Sequence, residues 1–325
     1  MYNNMKELSI GIPTYNRKKQ LKKQLESLLA QDLSEVEEII VLDNNSNYNI
    51  KKLIDSLNSN KIKLIINPIN QGMSINVLNP FLYCKTKWLW LLSDDDLTLK
   101  SSISNILEGI RNSYYDTGLI QFSLFDHQES FYSKNLNQYI DYYFNESEIR
   151  KGEIVFLSTK VFNVEVLNKY LAKGFEYSYT YIGFLIPIFI ALNEQKISVF
   201  FNSNKIVEYL PPEGDEWNFD KVGKGLSTLS HLDLDLNKKY KKKMLEVFMP
   251  ISYVEMYKFY LSNKHAKNAS NYDIIYHNSY KFYLNIFQKS IYQIFKNSLK
   301  ISLTYIVFKY IKRIYLTYKH FKFKK

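Results

Sequence analysis

Five short apolar runs alternate with amphipathic stretches over the first 125 residues. Leu8-Ser9-Ile10-Gly11-Ile12 ends at Pro13, Ile39-Ile40-Val41-Leu42 ends at Asp43, and Ile62 to Ile66 ends at Asn67-Pro68. Trp88 to Leu92 runs into Ser93, and Leu119 to Phe122 closes the series. Their length, apolarity and turn punctuation are those of buried strands. Between the first two, Lys18 to Ala30 places Leu21, Leu25, Leu28 and Leu29 at helical spacing, with Lys19, Lys22, Lys23 and Glu26 on the other side. Ile50 to Leu57, Ser74 to Tyr83 and Ile103 to Ile110 read as further helices. Strand–helix alternation predicts an α/β fold: a mostly parallel, twisted sheet with helices on both faces.

In such sheets ligands bind at the carboxyl ends of the strands. Polar clusters fall at four consecutive ends: Thr14-Tyr15-Asn16-Arg17, Asp43-Asn44-Asn45, Asn70-Gln71-Gly72 and Asp94-Asp95-Asp96. The aspartate triplet is the sharpest of these, because adjacent carboxylates repel one another unless a cation compensates. Asp94 and Asp96 on a tight turn can both face a hard divalent ion, and oxygen-only ligation suits Mg²⁺ or Mn²⁺. The competing reading makes Asp96 an N-cap for the helix at Ile103. At the second strand end Asp43 can accept a hydrogen bond from a uracil-type N–H, or simply close an Asx turn. Tyr15 can stack on a base or be an ordinary tyrosine, and Arg17 can be a solvated charge.

The strings SIGIPTYNR, IIVLDNNS, NQGMSINV and WLWLLSDDD, in that order and spacing, resemble the opening half of family 2 glycosyltransferases of the GT-A fold. The resemblance covers residues 6–125 and extends more loosely to about 210. It implies that Pro13, Thr14, Tyr15 and Arg17 line a donor nucleotide, that Asp43 bonds the base, and that Asn70, Gly72 and Asn76 lie near the nucleotide. Asp94 and Asp96 match the family's DXD motif, which holds the donor diphosphate through Mn²⁺ or Mg²⁺, and Asp95 sits between them among the donor-binding residues. The segment Ile154 to Leu167 resembles the family's strand before the acceptor site.

Inverting sugar transfer needs a base for the acceptor hydroxyl and a stabiliser for the departing diphosphate. The family usually supplies the base from an acidic pair 80–100 residues beyond the DXD, and this chain has no such pair. Glu176, expected just before a helix running from Tyr177 to Leu192, is one candidate; Asp215, in the loop sequence PPEGDEW, is the other. The QxxRW motif of processive members is absent, which implies one sugar per encounter. His127 and His231 are left out of the ligand set. Two other functions remain open: a GT-A-like binding or scaffold protein without chemistry, and a nucleotidyltransferase. The second normally carries a glycine-rich loop after its first strand, and IPTYNRKK has none.

Composition narrows the remaining classes. Glycine numbers 10 of 325 residues, and no glycine-rich phosphate cradle or zinc motif occurs. A single cysteine, Cys84, excludes an intramolecular disulfide. The first residues lack the apolar core of a signal peptide, so a cytoplasmic start is expected. The charge-free stretch 177–193, interrupted by Ser178, Thr180, Gly183 and Pro187, is too short and too broken to span a bilayer. Residues 231–325 hold 19 of the 43 basic and 5 of the 32 acidic side chains, an excess of +14, leaving −3 for residues 1–230. This predicts two regions: a GT-A domain over 1–230, and a basic, aromatic-rich helical region over 231–325. In the latter, Lys289, Gln293, Lys296 and Lys300 fall on one helical stripe, with a break expected near Ser302 to Thr304. Such helices suit an anionic membrane surface. Sugar transfer favours that partner over nucleic acid, since acceptors for surface glycans are often lipid-linked. The expected protein is therefore peripheral on the inner face of the cytoplasmic membrane.

Overall fold

The computed structural model describes residues 6–125, 129–146, 152–208, 219–249 and the isolated positions 275, 278, 289 and 290. Ten strands are described: β1 (Leu8–Thr14), β2 (Val36–Asp43), β3 (Ile62–Ile66), β4 (Trp88–Leu91), β5 (Leu97–Thr98), β6 (Thr117–Ser123), β7 (Phe131–Ser133), β8 (Lys160–Asn163), β9 (Ser198–Lys205) and β10 (Val207–Glu208). The helices between them include α1 (Lys18–Leu29), α2 (Ile50–Asp55), α3 (Met73–Tyr83), α4 (Ser102–Arg111) and α5 (Leu136–Phe144). Eight strands form one sheet in the order β3-β2-β1-β4-β8-β6-β9-β7, and β10 pairs with β5 in a separate two-stranded ribbon. Pairings β3-β2, β2-β1, β1-β4 and β6-β9 are parallel, whereas β8 is antiparallel to both β4 and β6 and β7 is antiparallel to β9. This is the mostly parallel, helix-covered sheet expected from the sequence.

Alternation along the strands sorts side chains between two layers. Leu8, Ile10 and Ile12 of β1, Trp88 and Trp90 of β4 and Val161 of β8 share one core with Leu21, Leu25 and Leu28 of α1 and Ile103, Ile106 and Ile110 of α4. On the opposite face Phe162 packs edge-on to Phe81 of α3, ring centroids 5.1 Å apart, and to Phe184. Gly11 lets α3 approach this closely: a Cβ there would lie 2.6 Å from Pro80 Cβ. Farther along, Gly174 and Gly183 bring two backbones together, each blocking a Cβ on the other with its partner's carbonyl oxygen at 2.9 and 2.7 Å.

Two expected elements differ from those observed. The segment 177–193 is not one helix from Tyr177. Short 3₁₀ turns occupy Ser178–Thr180 and Gly183–Leu185, and the α-helix runs only over Ile186–Asn193. Left-handed Tyr181 (φ 66°) breaks the path, and Pro187 in the first helical turn fixes the later start. Likewise, Ile154 to Leu167 is strand only at Lys160–Asn163, preceded by 3₁₀ turns and followed by the helix Val164–Leu167. The Asn163 side chain accepts from the Val166 N–H at 3.4 Å, which starts that helix and ends the strand.

The chain divides into two compact units, Met1–Glu216 with Asp233–Tyr240, and Trp217–Leu232 with Lys241–Lys325. The second includes the helix Phe219–Ser227 and the 3₁₀ turn Thr228–His231. Asp215, and residues 280–325 apart from Lys289 and Ser290, lie outside the described residues. No helix among the described residues is long and apolar enough to cross a membrane.

Because Pro80 leaves no room for a methyl group, Gly11→Ala should push α3 off β1 and cost about 1–3 kcal/mol. Chemical denaturation measures this; an unchanged midpoint would contradict the packing.

Candidate active site

Register builds the site. Gly11 of β1 pairs with Leu91 of β4, so three residues further on Thr14 stands level with Asp94. Thr14 also pairs with Asp43 across β1 and β2. The polar residues that follow three neighbouring strands are thereby brought to one sheet edge. Thr14 Oγ1 donates to Asp94 Oδ2 at 2.6 Å. Arg17, the residue before α1, donates from Nη1 to Asp94 Oδ1 at 3.2 Å and pairs with the Asp95 carboxylate. Ser93 Oγ donates to Asp95 Oδ1 at 2.5 Å. The triplet lies in the turn between β4 and β5, well before Ser101, which holds the N-cap position of α4. Asp96 is therefore no helix cap.

Antiparallel β8 supplies a group that sequence reading missed. Leu91 pairs with Lys160, which brings Ser158 alongside Ser93. The Ser158 hydroxyl donates to Asp96 and accepts from the Ser93 N–H at 2.8 Å, while its carbonyl accepts from Trp90 Nε1 at 2.8 Å. Behind it the buried Lys160 Nζ donates to the carbonyls of Glu153 (3.0 Å) and Phe156 (2.6 Å), holding the turns that present Ser158. Neither residue carries a motif; only the pairing of β8 with β4 reveals them.

The residues expected from the sequence to lie near a nucleotide form a second cluster. Asp43 is buried and accepts from Ser46 Oγ at 2.5 Å and from the Ser46 N–H, so the Asx-type turn does form. Asn16 and Asn45 are left-handed (φ 57° and 64°), and Asn16 ties the first loop to the second through Ser46 Oγ and the Asn47 N–H, both at 2.8 Å. Asn76 is buried; its Nδ2 donates to the Leu42 carbonyl at 3.2 Å, and its Oδ1 accepts from Asn67 Nδ2 at 2.9 Å. Asn44 donates to Asn70 at 2.7 Å, and Asn70 accepts from the Gly72 N–H at 2.9 Å. Gly72, at φ 83°, precedes α3. Tyr15 is exposed, as a stacking surface must be. Tyr48, a residue the motif reading passed over, is half-buried with its hydroxyl near Ser46. Burial, with the charges of Asp43 and Asp94, pushes it up to about 12.

Glu176 ends the short helix Leu171–Glu176 and pairs with Lys173 at 2.7 Å on an exposed surface. No described hydrogen bond or ion pair joins it to the aspartates.

Electrostatics distinguish the triplet. Burial pushes Asp94 up to about 6 despite the Thr14 hydrogen bond and the Arg17 charge. Burial likewise pushes Asp96 up to about 6, opposed by Ser158 and reinforced by its neighbouring aspartates. Ionised together near pH 7, these groups call for positive charge. Their all-oxygen chemistry fits a hard divalent ion. Among the described residues, however, no group of three or more candidate ligand side chains gathers. The fit is thus to an ion held by one or two carboxylates and completed by water and substrate phosphate, not by a protein cage.

Comparison with known proteins agrees with this architecture. The model of the family described as glycosyl transferase family 2 matches residues 9–171. A Campylobacter jejuni protein named GalNAc(5)-diNAcBac-PP-undecaprenol beta-1,3-glucosyltransferase is 25% identical over 287 residues, covering 84% of this chain and 86% of its own. The structure of Staphylococcus aureus TarS in complex with UDP-GlcNAc superposes with a TM-score of 0.57 at 16% identity, over 85% of this chain and 82% of that one. The mannosyltransferase PcManGT from Pyrobaculum calidifontis, in complex with GDP-Man and Mn²⁺, gives 0.52 at 9% identity, over 97% and 82%. At these identities the structural likenesses establish the fold.

Burial, opposed by the Glu153 charge, pushes Lys160 down to about 7. An unfolded lysine titrates near 10.4, so between pH 7 and 10 the unfolded chain binds more protons than the folded one. Stability contributed at this position must therefore rise with pH, by up to ~1.4 kcal/mol per unit. Urea denaturation at pH 7 and 9 should show wild type gaining on Lys160→Met; parallel pH dependences in the two proteins would remove the assignment.

Proposed function

The chain belongs to glycosyl transferase family 2, and we propose that it is an inverting, metal-dependent enzyme moving one sugar from a UDP-sugar to a glycan or lipid-linked acceptor. The observation that carries this reading is the Thr14–Asp94–Arg17 contact, which sets buried carboxylates at the joined ends of β1 and β4. Residues Pro13, Thr14, Tyr15, Arg17, Asp43, Asn70, Gly72, Asn76, Asp94 and Asp95 form the donor site in this proposal. Asp43, oriented by Ser46, accepts the N3–H of uracil, and Tyr15 stacks on the ring. Asp94 and Asp96 hold Mn²⁺ or Mg²⁺, which when bound neutralises charge developing on the leaving diphosphate. A carboxylate, Glu176 or Asp215, takes the proton of the acceptor hydroxyl as its oxygen attacks the anomeric carbon opposite the departing diphosphate.

The lipid-linked acceptor draws support from the Campylobacter relative, whose name specifies an undecaprenol-linked substrate. Surface-polysaccharide synthesis, capsule or lipooligosaccharide, accords with such an acceptor. In this proposal residues 1–230 carry the chemistry. Residues 231–325, with their +14 balance, attach the protein to an anionic membrane surface on the cytoplasmic side.

Two experiments test the proposal. In a thermal-shift panel of nucleotide sugars with and without Mn²⁺, stabilisation should require metal, favour UDP over GDP, and vanish in Asp96→Ala; tighter GDP binding would refute the Asp43 role. Removing 280–325 should abolish co-sedimentation with anionic liposomes without changing donor affinity. Undiminished co-sedimentation of the shortened protein would locate the attachment elsewhere.

A further inference from the structure

A cavity of about 310 Å³ lies between the start of α5 and the end of the helix Ile186–Asn193. Strand directions place it away from the aspartates. Because β8 is antiparallel to both β4 and β6, and β9 is parallel to β6, β9 runs in the direction of β1 and β4. Gln195 lines the cavity just before β9 begins, and Ser133 at the end of β7 pairs with Val199 beside it. The cavity therefore opens at the amino edge of the sheet, whereas the aspartate turn follows the carboxyl end of β4. All its lining residues belong to the first compact unit.

The walls are amides without partners. Asn137, Asn193, Gln195 and the carboxylate of Asp235 line the space, and among the described residues none of these four side chains has a hydrogen bond or ion pair. The asparagines near Asp43 behave differently, since Asn44, Asn67, Asn70 and Asn76 spend their amides on one another. Asn137 Oδ1 is shut off from solvent and still unpaired, a desolvation penalty that a donor from a ligand can relieve. Asn135 caps α5 by accepting from the Gln138 N–H at 3.0 Å, so its Nδ2 group is what it offers the cavity. Buried Leu136 and Leu192 supply an apolar floor. Asp235 is exposed between buried Leu234 and Leu236, which anchor the segment that carries it.

An amide both donates and accepts, and a carboxylate accepts from neighbouring hydroxyls. No lysine or arginine lines the cavity, so nothing there compensates a phosphate or another anion. Paired donors and acceptors above an apolar floor match the hydroxyls and C–H face of a sugar ring. We propose that this cavity is a second saccharide site, taking one neutral sugar residue of a glycan at the sheet edge remote from the aspartates. Its volume is at the small end of the ~300–1,000 Å³ of small-molecule sites, which suits a single ring and not a nucleotide sugar. The site stands independently of the donor and metal assignments.

The test is a saturation-transfer NMR titration of the full-length protein with the methyl glycosides of glucose, galactose, N-acetylglucosamine and N-acetylgalactosamine. It compares wild type with Asn193→Ala and Asp235→Ala, two side chains outside the core. At least one glycoside should bind wild type, and each variant should bind it about tenfold more weakly, the loss of one hydrogen-bonding group. Methyl glucuronide, which adds a carboxylate facing Asp235, should bind more weakly than methyl glucoside. Circular dichroism and any nucleotide-induced thermal shift should be the same in all three proteins. Absence of binding by all four glycosides, equal binding by wild type and both variants, or tighter binding of the glucuronide overturns the site. Each of those outcomes leaves the donor reading standing.

Discussion

Asp94 is an ionisable group buried at the mouth of a parallel sheet, and its neighbours are arranged to make that tolerable. Thr14 reaches it from β1 and Arg17 from the start of α1, while Ser93 and Ser158 brace the two aspartates that follow. Without these donors a carboxylate at that depth would cost several kcal/mol or take up a proton. Even with them its proton affinity stays above that of an exposed aspartate. The charge is therefore conditionally stable, which is the property that a cation-dependent site needs.

The loops around it are rigid by construction. Asn44, Asn67, Asn70, Asn76 and Gln71 interlock through side-chain amides and backbone groups, so the carboxyl ends of β1, β2 and β3 are bonded to one another and to the start of α3. Asparagine suits this work because one side chain both donates and accepts. The same amides that stiffen the loops leave Tyr15 exposed, and an exposed ring is where a ligand gains contacts. Stiff loops lower the ordering cost of binding.

In the proposed reading, this arrangement divides the labour between a prebuilt donor side and a less committed acceptor side. The groups around Asp94 and Asp43 are held by backbone register and by one another. Glu176, in contrast, lies on a short exposed helix and pairs with Lys173. A leaving diphosphate demands fixed positive charge at a fixed point, since stabilisation by preorganised dipoles depends on their not having to reorient.

Local chemistry was enough to read the strands and helices of the first 125 residues apart from the two-residue β5, because apolar run length and turn residues report burial and chain reversal directly. It also marked Thr14, Arg17, Asp43 and the aspartate triplet, since polar clusters directly after buried strands stand out. Cys84 and the charge asymmetry were legible as simple counts. Pairing decided the rest. Ser158 and Lys160 enter the site only because antiparallel β8 inserts between β4 and β6, a choice made by side-chain packing across 60 or more residues of chain. The late start of the helix at Ile186 depends on Tyr181, Gly183 and Pro187 acting together against an apolar pattern that by itself favours one continuous helix. Periodicity records what each residue would bury. Which strand it meets, and which donor then faces a buried charge, is settled only when distant segments compete for the same sheet edge.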